Sequence, residues 1–168
     1  MKVFWVVCLA LCVSAAWPAA PRSARSIEGP VTYVSDGDSL WVQVDNARPL
    51  EVRLRDIDAP ELCQAWGPEA RKALQELVLQ KRVSVQLFGK DAYGRAIGRV
   101  ALGDVDVGQR LVEEGHAWSQ RIKWDRGPLV KQERMARALS RGLHVDRAAV
   151  MPRDFRRDHG PCAAVAGK

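Results

Sequence analysis

The sequence predicts an α+β domain that is mostly β, with five short strands closing into a small barrel and three helices packed around it. Three observations carry this expectation. Short runs rich in Val, Leu, Ile and Trp recur along the chain, one of them strictly alternating between apolar and charged residues. Turn-forming clusters of Asp, Asn and Gly separate those runs. Longer stretches place apolar residues at helical spacing and are opened or closed by Pro, Asp or Gly.

Val31–Val34 and Ser39–Val44 read as the first two strands, divided by the turn "SDGD". "DNAR" makes the next turn. Leu50 to Arg55 is the third strand, in which Leu50, Val52 and Leu54 alternate with Glu51, Arg53 and Arg55. The alternation then slips. Ile57 falls on the parity of the arginines and Asp58 on that of the leucines, within the stretch "RLRDIDAPE" that gathers charges of both signs.

Gly67 and Pro68 open the first helix, with Glu69 in its first turn and Ala70, Ala73, Leu74 and Leu77 along one face; it ends near Gln80. Val83–Phe88 is the fourth strand, "KDAYGR" a turn, and Ala96–Leu102 the fifth strand. Asp106 with Gln109 resembles a capping box for a short second helix ending at Gly115. Pro128 starts a third helix that runs to about Arg141, with Gly142 as its stop. Leu129, Ala136, Leu139 and Leu143 are expected toward the core, and Arg134, Arg137 and Arg141 form a solvated stripe. Three strands, a helix, two strands and two helices fit a five-stranded barrel of the oligonucleotide/oligosaccharide-binding type, with an open α+β sheet as the alternative.

The ends of the chain read differently. Residues 1–20 carry Lys2, the apolar run Val3–Val13 and the small residues Ser14, Ala15 and Ala16, the pattern of a secretory signal peptide cleaved near 16–20. The run is too short to remain as a bilayer span. Leu11 and Val7, before Cys12 and Cys8, are too bulky for a lipoprotein signal. Residues 21–28 are expected as a flexible leader, 29–146 as the folded domain and 147–168 as a C-terminal tail. The expected destination is the periplasm or the exterior, as a monomer with no stable membrane association. Of four cysteines, Cys63 and Cys162 lie beyond the expected signal peptide, and an even pair in an exported chain reads as one disulfide; two unpaired thiols are the alternative. From residue 21 onward, 25 Lys and Arg stand against 20 Asp and Glu, so the domain should attract polyanions.

Chemistry concentrates in three short stretches. "SDGDS" supplies Asp36 and Asp38, oxygen ligands suited to a hard cation such as Ca²⁺, although the later ligands of an EF-hand loop are missing. "DIDAPE" adds Asp58 and Glu61, and "DAYGR" adds Tyr93 and Arg95. With Arg53, Arg95 makes two guanidiniums able to grip phosphate oxygens. Carboxylates for a cation, a carboxylate base and two arginines form the set that phosphodiester hydrolysis requires. No Cys and His spacing points to zinc.

"SDGDSLWV", "VRLRDIDAPE", "GPEA" and "DAYGRAIGRV", in this order, resemble the staphylococcal (micrococcal) nuclease or thermonuclease family from about Val31 to Leu143. The resemblance implies a five-stranded barrel with three helices and a Ca²⁺-dependent nuclease that acts on DNA and RNA, cuts the bond to the 5′ oxygen and leaves a 3′-phosphate. It implies Asp38 and Asp58 as Ca²⁺ carboxylates, the main-chain carbonyl of Ala59 as a third ligand, and Asp36 as an acid near the metal. Glu61 matches the general base, Arg53 and Arg95 the phosphate-binding arginines, and Tyr93 the tyrosine near the terminal phosphate. Ala59 replaces a frequent threonine, and Ala92 stands where a lysine precedes that tyrosine in the best-known member. "HAWSQRIKW" lacks that member's paired base-packing tyrosines; Arg121, Lys123 or Trp124 could take that place. The alternative is a non-catalytic barrel that binds nucleic acid.

Overall fold

The structure, a computed structural model, describes residues 25–160 and 162. The expected signal peptide lies outside the described residues. No described helix is long and apolar enough to cross a membrane.

Five strands close a barrel. β1 (Ser26–Val34) is shared between two neighbours: residues 26–30 pair antiparallel with β5 (Arg82–Lys90), and Val31 to Val34 pair antiparallel with β2 (Ser39–Val42). A register shift between Val31 and Tyr33 lets the strand bend as it changes partner. β2 pairs with β3 (Leu50–Leu54), and β5 with β6 (Ala96–Leu102), both antiparallel. The closure is parallel: Val52, Arg53 and Leu54 of β3 lie opposite Ala96, Ile97 and Gly98 of β6. The closed barrel, not the open sheet, is therefore the architecture.

The barrel interior is apolar. Val31, Leu40, Val42, Val52, Val85 and Val100 are essentially inaccessible. A Cβ at Gly98 would lie 2.6 Å from Val85 Cγ1 and 2.9 Å from Val52 Cγ1, so the interior accepts only glycine there. α1 (Gly67–Val78) has Pro68 in its first turn and buries Ala70, Leu74 and Val78. α2 (Val107–Glu113) is capped by Asp106, whose Oδ1 accepts the Gln109 N–H at 2.9 Å. The Gln109 side chain donates to Glu113 Oε1 instead of returning to Asp106, so half of the expected capping box forms.

Four features depart from the sequence expectation. β1 starts at Ser26, inside the expected leader, because residues 26–30 find a partner strand in β5. α3 (Val130–Ala138) ends before Arg141, and Ser140 turns the chain at φ 48°. Leu139 is consequently exposed, although Ala136 and Leu143 are buried as expected. The expected tail contains a fourth helix, α4 (Pro152–His159). Its eight residues carry no long apolar stripe, and their helicity depends on docking.

The parity slip after β3 has a structural cause. Asp56 adopts the left-handed region at φ 71° and turns the chain into β4 (Ile57–Asp58), with one more residue placed between the two strands. β4 pairs antiparallel with β8 (Trp118–Ser119), leaving the barrel for a second, two-stranded sheet. β7 (Val105–Asp106) extends the β6 edge.

Candidate active site

Two turns and the end of β3 converge on one cleft of about 720 Å³. The turn after β1 supplies Asp36 and Asp38. It lies close against neighbouring chain: a Cβ on Gly37 would sit 2.7 Å from Ala59 Cβ and 2.8 Å from Ala70 Cβ. Glycine at this position therefore lets the Asp36–Asp38 turn press against the exit of β4 and the first turn of α1. The Asp36 side chain fixes the turn by accepting the Asp38 N–H at 2.9 Å.

Asp38 and Asp58 are both buried, 4 % and 7 % exposed. Arg53 forks between them, with Nη1 2.6 Å from Asp38 Oδ1 and Nη2 3.1 Å from Asp58 Oδ1. Ser39 Oγ also donates to Asp38 Oδ1 at 3.1 Å and the Ala59 N–H to Oδ2 at 3.0 Å, which leaves a lone pair of Oδ2 open. Asp58 reaches this place because β4 pairs with β8, while Arg53 belongs to the barrel. The mixed charges of the third strand's end thus meet across two sheets.

The electrostatics are short of positive charge. Burial, and then the neighbouring Asp38, push the Asp36 carboxyl up to about 7. Burial and Asp38 raise Asp58 as well. Burial opposes the charge of Arg53, but Asp38, Asp58 and Asp36 together push its pKa up. A cluster of buried carboxylates that resists losing its protons is a donor set a hard divalent cation would satisfy. Among the described residues, no three His, Cys, Asp or Glu side chains form a metal cage by themselves. Asp38 and Asp58 therefore fit such an ion only with main-chain and solvent oxygens beside them.

The second guanidinium comes from the β5–β6 turn. Arg95 Nη1 is 3.2 Å from Ser39 Oγ, which ties it to the Asp38 turn. Asp91 holds it in place: its Oδ2 accepts from Arg95 Nε at 2.8 Å, and its Oδ1 accepts the N–H groups of Tyr93 and Arg95 at 2.9 and 3.0 Å. Tyr93 is 86 % exposed at the cleft mouth, its ring 5.6 Å from the Arg95 guanidinium. Arg55 also lines the cleft and pairs with Asp56 at 3.2 Å.

Glu61 lines the same cleft. Its N–H donates to Gln64 Oε1 at 3.1 Å, and its carboxylate pairs with Arg156 of α4, Oε1 to Nη1, at 2.5 Å. Arg156 Nη2 also lies 3.5 Å from Asp58 Oδ2. A disulfide joins Cys63 to Cys162, across 99 positions, and holds the chain beyond α4 beside Glu61.

The structure thus gathers Asp36, Asp38, Arg53, Ala59, Glu61, Tyr93 and Arg95 around one opening, with Asp58 beneath it. Three participants escaped the sequence reading. Asp91 carried a signal, since an Asp opening "DAYG" makes an Asx turn that fixes the Arg95 side chain. Arg156 carried a faint one: a Cys63–Cys162 bond obliges the segment before Cys162 to pass near Glu61. Gln64 gave none.

The model of the family described as Staphylococcal nuclease homologue matches residues 51–145 of this chain. An "Uncharacterized endonuclease" of Haemophilus influenzae is 34 % identical over 128 residues, which cover 76 % of this chain and 71 % of the relative. "Protein ParB" of Escherichia coli is 36 % identical over 151 residues, 83 % of this chain and 84 % of the relative. The "Probable staphylococcal-like nuclease CAN2" of Oryza sativa subsp. japonica is 36 % identical over 112 residues; the match covers 67 % of this chain but only 30 % of that longer relative.

Proposed function

Because this chain belongs to the staphylococcal nuclease family, we propose that it is an exported, Ca²⁺-dependent phosphodiesterase that hydrolyses DNA and RNA as a monomer. One observation carries the reading: Arg53 bridges two buried carboxylates at the floor of a cleft that Glu61 and Arg95 also line. The basic balance of the chain, +6 overall, favours a polyanionic substrate.

Asp38 and Asp58 would hold the cation, with the Ala59 carbonyl as a further oxygen ligand and Asp36 close by. When bound, the cation would draw charge from a non-bridging phosphate oxygen. The protein's own groups do the rest. Arg53 and Arg95 bind the remaining phosphate oxygens and stabilise the negative charge that develops as water attacks phosphorus. Glu61 accepts the water proton on a carboxylate oxygen. The bond to the 5′ oxygen breaks, and that oxygen takes a proton from solvent, leaving a 3′-phosphate and a 5′-hydroxyl. Tyr93, at the rim, contacts the terminal phosphate. Asp91 acts through Arg95 by fixing its direction.

Plasmid DNA and a labelled RNA, each incubated with Ca²⁺ and then with chelator, test this reading. Cleavage with Ca²⁺ that yields 3′-phosphate ends and stops in chelator is the expected result. Unchanged cleavage in chelator would remove the metal role. Binding without cleavage would leave a non-catalytic nucleic-acid module.

A further inference from the structure

The cleft must accept a polyanion, yet its lining carries five carboxylates against four guanidiniums. One of those four, Arg156, comes from α4, outside the barrel and outside the matched residues 51–145. Its side chain is 38 % exposed, with Nη1 on Glu61 and Nη2 near Asp58. A guanidinium has five N–H donors, so these contacts leave others able to meet a phosphate.

α4 is anchored at both ends. Gln64 Nε2 donates to the Val150 carbonyl at 2.6 Å just before it, and the Cys63–Cys162 bond lies just after it. Phe155 and His159 stack 4.5 Å apart and face an apolar cavity shared with Trp66 and Trp118. Arg157 turns the other way, pairing with Asp154 and Asp158. Arg156 therefore faces the cleft by construction. A helix this short would not persist undocked.

We propose that Arg156 is a phosphate-binding residue for single-stranded nucleic acid, and that the Cys63–Cys162 bond sets substrate affinity by holding α4 over the cleft. The inference rests on the nuclease reading, and extends the substrate path beyond Arg53 and Arg95. A backbone phosphate next to the scissile one takes the Arg156 donors that Glu61 and Asp58 leave free.

Fluorescence anisotropy of a labelled oligothymidylate, titrated in chelator at several salt concentrations, tests it. Arg156→Ala should weaken binding roughly five- to tenfold and reduce the slope of log affinity against log salt by about 0.7, the loss of one phosphate contact on a single strand. Arg156→Lys should keep the slope. Arg157→Ala, with the same charge change, should bind like the wild type. The Cys63→Ser/Cys162→Ser double variant should match Arg156→Ala, as should the reduced wild type. Wild-type affinity and slope in Arg156→Ala overturn the proposal, as does tighter binding, which would make Arg156 a latch competing with substrate. An equal loss in Arg157→Ala also overturns it, and wild-type affinity in the double variant overturns the disulfide's part. Wild-type binding without cleavage on adding Ca²⁺ would overturn the nuclease reading alone; no wild-type binding would overturn both.

Discussion

Arg53 lies 2.6 Å from Asp38, and both side chains are shielded from solvent. Removing the guanidinium would leave Asp36, Asp38 and Asp58 facing one another. Breaking a buried pair from one side typically costs about 3 kcal/mol or more, because a charge is left uncompensated. Arg53→Met should lose about that much stability to urea in chelator, and distinctly less with Ca²⁺ present. An equal loss in both conditions would mean that no cation replaces the missing charge.

Glu61 and Arg95 line the cleft without belonging to the apolar core. Glu61→Gln and Arg95→Ala should each lower kcat by roughly 10²-fold or more while the melting temperature stays near that of the wild type. Asp91→Ala should lower kcat by about tenfold, through a wandering Arg95. Near-normal turnover in the first two variants would overturn their roles.

The Cys63–Cys162 bond closes a loop of 99 positions. On the chain-entropy model such a closure stabilises by about 5 kcal/mol. Reduction should therefore lower the melting temperature by on the order of 10 °C. An unchanged melting curve in reductant would show that the bond adds nothing to the fold.

His116 accepts a hydrogen bond on Nδ1 from Trp66 Nε1 at 3.2 Å. Burial lowers its pKa below the ordinary 6.5. The unfolded chain thus binds this proton more readily, so the histidine's contribution is present above pH 6.5 and is lost as pH falls through its folded value. His144, lowered by burial and by Arg137, acts in the same direction. The raised carboxyls of Asp36 and Asp58 act oppositely. Comparison with His116→Gln isolates the histidine: between pH 7 and pH 5 the wild type should lose more stability than the variant in denaturant titrations. Parallel losses would contradict the assignment.

Much of the site was legible because its residues sit in local patterns. "SDGD", "DIDAPE" and "DAYGR" each place charged groups at turns, and the broken parity after Leu54 marks where β3 leaves the barrel. The left-handed Asp56 that causes the slip is invisible in composition, since its conformation is imposed by the pairing of β4 with β8. Leu139 misled because periodicity shows a face, not where the helix stops.

The sequence by itself determined the five barrel strands in outline and the first three helices, the turns between them and the charged groups those turns present. These follow from side-chain period and backbone preference over a few residues. Only the tertiary structure decided that β3 and β6 close in parallel, that one guanidinium holds Asp38 and Asp58 together, and that Arg156 meets Glu61 across 95 positions. Such contacts depend on how whole elements pack, and no local pattern carries the distance between residues that only the folded core and one disulfide bring together.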